Sequence, residues 1–121
     1  MASELDGRAL AEAAARAMGW RSWHDGPVAM AMGPGWVEPD GTIHGVTADG
    51  GPDIPERECL AWLHTKGKVH TSSESDWCYT RLLFRPSLTE SVCAGGATML
   101  EALQRLVVAV AAREQAAKGE P

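Results

Sequence analysis

Apolar side chains recur along the chain at two different periods. Met99, Leu103, Leu106, Val107 and Val110 follow the three- and four-residue spacing of one helix face. Thr98 with Glu101 three residues on reads as a capping box, so the pattern predicts a helix over 98–113 followed by a frayed tail over 114–121. Leu10, Ala13, Ala14, Ala17 and Met18 predict a first helix over 4–18, opened by Ser3 with Asp6. Gly19 supplies its left-handed stop, and Trp20 stands where the hydrophobic contact of a Schellman motif falls. Cys59, Leu60 and Leu63 form a narrower stripe that predicts a helix over 54–66. There Asp53 is the expected N-cap, Pro55 fits the first turn, Glu56 closes a capping box and Gly67 is the expected stop.

The second period is two. Cys78, Thr80, Leu82 and Phe84 alternate with Trp77, Tyr79, Arg81 and Leu83, which predicts a strand over 77–85 ended by Pro86. A strand over 88–94 is its expected antiparallel neighbour. Between them the helices and strands leave a Gly/Pro/Trp-rich loop over 21–52. In it Val28–Met32 suits a short strand, and Pro39-Asp40-Gly41 is turn chemistry for a small hairpin of 36–38 with 42–44. The polar stretch Thr71–Asp76 reads as a loop. These elements describe an α+β fold, a layered sandwich of three helices on a small antiparallel sheet, in one domain over 1–121.

Composition narrows the function classes. A chain of 121 residues can bury a core without metal or disulfide staples. Its three cysteines (Cys59, Cys78 and Cys93) are odd in number and irregular in spacing. They read as reduced thiols of a reducing compartment, not as a disulfide framework. The polar, acidic N-terminus lacks signal-peptide character, and the longest apolar run, Leu106–Ala112, is too short to span a bilayer. The expected location is the cytoplasm, away from membranes. A net charge of −5 opposes general binding to a phosphate backbone. Charge is nonetheless uneven. Glu38–Glu58 holds six acids against one base, whereas His64–Arg85 holds four bases, two acids and two histidines.

Candidate chemistry is sparse. Gly95-Gly96-Ala97-Thr98 leads into a helix N-terminus, where backbone N–H groups favour anions, but it lacks the P-loop and dinucleotide patterns. No G-x-S-x-G elbow occurs. His64 and His70 are six apart and Cys59 and His64 five apart, which is poor spacing for a metal. His24-Asp25 is an adjacent pair better suited to a turn than to catalysis. No catalytic, metal or cofactor residues are therefore assigned. Five tryptophans stand against one tyrosine and one phenylalanine. Tryptophan concentrates at binding hot spots and stacks on bases. Trp23 and Trp36, in the glycine-rich loop, are expected to face a ligand or partner. The other candidate binding residues are the acids Asp53 and Glu56, the basic or aromatic Lys68, Trp77, Arg81 and Arg85, and the turn residues Gly95 and Gly96.

The Ala-rich first helix ending in Met18-Gly19-Trp20, the middle helix and the closing Ala97-Thr98…Ala102…Val110 helix resemble the phage ABA sandwich domain, a family of small phage and prophage proteins. The resemblance implies a layered α/β sandwich and a phage origin. It carries no catalytic residues. The chain departs from the family in its long Gly/Pro/Trp loop and in Trp77–Phe84.

The first functional expectation is a non-enzymatic phage or prophage accessory protein that binds a host protein, for instance a defence component such as a CRISPR effector. A small-molecule or nucleotide binder is the second, with Trp23 or Trp36 stacking on the ligand and Lys68, Arg81 or Arg85 with the Gly95-Gly96 turn holding phosphate. A small hydrolase using His64 or His70 is the third, and a virion component the fourth. Homodimerisation through a free sheet edge is a further expectation.

Overall fold

The computed structural model describes residues 7–22, 35–85 and 89–119. The chain divides into two compact units, Met1–Ile54 and Pro55–Pro121. Its class is α+β, with an antiparallel three-stranded sheet in each unit, where the sequence predicts one small sheet.

In the first unit, α1 (Gly7–Ala17) buries Leu10, Ala11, Ala14 and Ala15. It ends as the sequence predicts. Gly19 takes φ +88°, its N–H donates to Arg16 O at 3.0 Å, and Trp20 N–H donates to Ala15 O at 2.9 Å. These two bonds are a Schellman motif. Trp20 is buried and stacks on His44, with ring centroids 4.2 Å apart. Three two-residue strands follow: β1 (Arg21–Ser22), β2 (Trp36–Val37) and β3 (Ile43–His44), paired in that order. The predicted hairpin is present, with Trp36 opposite His44 and Val37 opposite Ile43. Gly41 provides the positive φ of its turn, and Thr42 N–H donates to Asp40 Oδ1 at 2.9 Å. The expected strand Val28–Met32 and the Ser3–Asp6 cap lie outside the described residues.

The second unit runs α2 (Glu56–His64), β4 (Gly67–Glu74), β5 (Trp77–Phe84), β6 (Ser91–Gly96) and α3 (Met99–Gly119). Strand order is β4-β5-β6, all antiparallel, so β5 is central. Helix α3 lies across β5 and β6, and α2 packs on α3 and β4. Buried Cys59 and Leu63 of α2 and Leu103, Leu106, Val107 and Val110 of α3 make the core with Leu82 of β5. Each large side chain so buried contributes on the order of 2 kcal/mol.

Several boundaries differ from the sequence expectation, each for a physical reason. Asp53 does not cap α2. Pro55 is the N-cap, extended at φ −66° and ψ 150°, with no side-chain cap bond. A residue preceding proline is pushed out of the helical region, so the helix cannot begin at 54. Gly67 is not a helix stop but the first residue of β4; Thr65 is the C-cap, its hydroxyl donating to Trp62 O at 2.6 Å. The expected loop 71–76 is mostly strand, pairing from Thr71–Thr80 to Glu74–Trp77 around a two-residue turn in which Ser75 takes φ +37°. β6 spans 91–96 where 88–94 was expected, so Gly95 and Gly96 are strand residues and not part of the turn. The expected frayed tail is helical to Gly119. Lys66 Nζ lies 3.2 Å from Glu114 Oε1, and Arg113 pairs with Glu90.

Gly67 is required by close approach. A Cβ there would lie 2.0 Å from the Leu83 carbonyl oxygen. Gly67→Ala is expected to cost about 2–3 kcal/mol through forced separation of β4 from β5. Urea unfolding measures this; an unchanged midpoint would contradict the register.

Candidate functional site: the open face of the second sheet

The alternation of β5 decides which side chains meet the helices and which meet solvent. Cys78, Thr80, Leu82 and Phe84 point inward, together with Val69, Val92, Ala94 and Gly96 of the neighbouring strands. Thr80 is buried, its hydroxyl shared between Ala94 O at 3.1 Å and Ala102 O at 3.2 Å. This satisfies the one polar group of the central strand that the helices cover.

The opposite face carries no helix of this unit. Its side chains line up in cross-strand rows: Lys68, Leu83 and Ser91; His70, Arg81 and Cys93; Ser72, Tyr79 and Gly95; and Glu74 beside Trp77. Trp77 is 40% exposed and Tyr79 46%. Two exposed aromatics on one strand face form a patch. Gly95 explains how Trp77 lies. A Cβ there would come 2.5 Å from Trp77 Nε1 and 3.2 Å from Cε2. The indole therefore lies across the glycine backbone, held down on the sheet. Lys68 and Arg81 are exposed on this face, and neither joins an ion pair among the described residues.

Of the residues singled out in the sequence, Lys68, Trp77, Arg81 and Gly95 come together here. His70, singled out in the sequence only as a candidate hydrolase residue, and Tyr79, not singled out, share this face; Tyr79 falls on the same period-two face as Trp77 and Arg81, which was the available signal. Gly96 points inward, where a Cβ would lie 2.9 Å from Ala102 N. Arg85 is a helix-end residue: its Nη1 donates to His64 O at 2.7 Å, placing a cation at the α2 C-terminus. Trp36 is fully buried with Arg16 over its ring at 5.2 Å, so it does not face a ligand. Trp23 lies outside the described residues. Asp53 is exposed in the first unit, and Glu56 is exposed in the first turn of α2.

The helix N-terminus behind Gly95 and Gly96 is occupied by its own side chains. Ala97 N–H donates to Glu101 Oε1 at 2.8 Å, and Glu101 N–H donates to Thr98 Oγ1 at 3.1 Å. Those two donors are engaged, and the Glu101 carboxylate brings negative charge to the end where an anion would sit. This is a capping arrangement, not a phosphate cradle.

Other reactive groups are held by their surroundings. Burial, with the nearby Glu56 and Glu58 carboxylates, pushes the Cys59 thiol up to about 12, so it stays protonated and inert at neutral pH. His44 Nε2 lies 2.6 Å from Glu38 Oε2. Among the described residues no three His, Cys, Asp or Glu side chains come together to hold a metal, and no helix is long and apolar enough to cross a membrane. Comparison with known proteins finds no matching family model, no matching curated protein and no matching solved structure.

Two predictions follow from these environments. In the native protein Cys93 should react at once with a thiol reagent at pH 8 and Cys59 not at all, with all three thiols reacting after denaturation; native-state labelling of Cys59 detected by peptide mapping would contradict its burial. The Thr47 hydroxyl and then the Gly51 N–H hold the Asp49 carboxylate below its ordinary 3.8. A depressed carboxylate stabilises above its unfolded value, and that contribution is lost as pH falls through the folded one. Carboxyl-carbon NMR titration should place Asp49 below 3.8, and Thr47→Ala should move it upward. A wild-type midpoint at or above the ordinary value would contradict the loop geometry.

Proposed function

We propose that this chain is a non-catalytic binding protein that takes its partner on the open face of the β4-β5-β6 sheet. The observation that carries the reading is the exposed Trp77–Tyr79 pair, followed along the same face by the row of His70 and Arg81 and then by Lys68, on a sheet whose other face is closed by α2 and α3. Tryptophan, tyrosine and arginine are the side chains that dominate binding energy at interfaces. The resemblance to phage ABA sandwich proteins adds a setting: an accessory protein of phage or prophage origin whose partner is a host macromolecule, with a host protein of a defence system as one candidate.

A non-catalytic role is supported by the placement of the histidines. Among the described residues neither His64 nor His70 hydrogen-bonds a hydroxyl or thiol, the first arrangement a nucleophile would need. Exposed His64 closes α2, whereas His70 stands opposite Arg81 on the sheet face. A second reading, a ligand that stacks on an aromatic ring, is favoured by the Trp77 indole lying against Gly95.

The reading separates binding from folding. The double variant Trp77→Ala/Tyr79→Ala should melt within a few degrees of wild type, because exposed side chains contribute little to stability. It should also lose the partners that wild-type protein retains from host-cell extract. A double variant that retains the same partners would overturn the proposal, and one that melts far lower would show that the rings serve the fold.

A further inference from the structure

Resting on the open-face reading, we infer that the occupant of this face is single-stranded nucleic acid, with successive bases stacked on Trp77 and Tyr79. Three observations lead there. The first is spacing. Residues two apart on a strand are separated by about 6.8 Å, close to the step between neighbouring bases of an extended single strand. Trp77 and Tyr79 share one face of β5 and are both exposed. Neighbouring bases can therefore each meet one of the two rings.

The second is the floor. Ser72 and Gly95 flank Tyr79 in its cross-strand row, and Ser91 and Cys93 line the same face of β6. These side chains are small, and Gly95 lets the indole lie close against the backbone. The result is a flat platform and not a pocket. A flat π surface accepts any base, which is how sheet-based binders of single strands work.

The third is charge. The whole chain has 16 acids against 11 bases. The open face reverses that balance: Lys68 and Arg81 are its bases, His70 shares a row with Arg81, and Glu74 at the hairpin end is the acid of its rows. A phosphate chain running along β5 from the rings would meet Arg81 and then Lys68. With only two cations available, the backbone contributes modestly. This fits the overall negative charge, which opposes a general phosphate grip. A double helix is disfavoured, since its bases are stacked on each other and unavailable to the rings.

The test uses the full-length protein and a fluorescently labelled short oligothymidylate, followed by anisotropy, with the matching duplex and inorganic polyphosphate as competitors. Wild-type protein should bind the single strand, unlabelled single strand should compete, and neither duplex nor polyphosphate should. Trp77→Ala and Tyr79→Ala should each weaken binding about tenfold or more, while Trp77→Phe, which keeps a ring, should retain most of it. The slope of log affinity against log salt should be about −1.4, from two phosphate contacts on a single strand. No binding, equal competition by polyphosphate, or unchanged affinity in both alanine variants would overturn the inference.

A photocrosslinker on Cys93, which lies on this face opposite Arg81, separates that failure from failure of the binding reading. If oligothymidylate does not bind but the crosslinker joins a host protein in a Trp77- and Tyr79-dependent way, the nucleic-acid inference falls and the open-face reading stands. If no partner of either kind depends on the two rings, both fall.

Discussion

Thr80 sits where β5 passes beneath α3, its hydroxyl between a carbonyl of β6 and a carbonyl of the helix. Its inward position fixes the phase of β5. Because side chains alternate along a strand, a slip of one residue would send Leu82 and Thr80 to solvent and drive Arg81 and Tyr79 under the helices. The cost would be large: an apolar core side chain exposed, and a guanidinium and a phenol buried without partners. The same constraint that builds the core therefore delivers Trp77, Tyr79 and Arg81 to the outer face. Gly67 and Gly96 support that phase from either side, one letting β4 approach the Leu83 carbonyl, the other letting β6 run close under Ala102 at the start of α3.

What the helices do not cover is the outer face of the sheet. Helices α2 and α3 cover one side of the sheet, and one end of each is closed by groups of the same unit. Glu101 and Thr98 occupy the start of α3, and Arg85 holds the end of α2. Positive charge on the outer face is not consumed in this way. Lys68 and Arg81 stand in adjacent rows without an ion-pair partner among the described residues. The first unit is built on different terms. Its two-residue strands are held by a stacked Trp20–His44 pair and by turns whose backbone N–H groups donate to the Asp40 and Asp49 carboxylates.

Much of the second unit was legible in the sequence because its period-two and period-3.6 patterns are strong. The β5 alternation, the α3 face and the Thr98–Glu101 cap could all be read from residue types alone. β4 could not. Both faces of its distal half meet solvent, so Thr71, Ser72 and Ser73 show no alternation and look like a loop. Gly67 reads as a helix stop because a glycine needed for close approach and one needed for positive φ are identical in sequence. Trp36 was misplaced for a related reason: a glycine-rich context says nothing about whether the ring is covered. Arg85 looked like a ligand cation because the carbonyl it serves is 21 residues away. The candidate face was half legible. Trp77, Arg81 and Lys68 stood out by type, whereas the inclusion of Tyr79 and His70 depended on the pairing of β4 with β5.

The central claim is that the outer face of β5 is the working surface of this protein. Nitrogen–proton correlation spectra recorded during titration with a short single-stranded oligonucleotide test it most directly, because each tryptophan reports separately through its indole N–H. The account predicts that the Trp77 indole and the backbone amides of Tyr79, Arg81 and His70 shift together and saturably, while the buried Trp20 and Trp36 indoles stay in place. Shifts centred on the first unit or on the α3 N-terminus, with Trp77 unmoved, would contradict it.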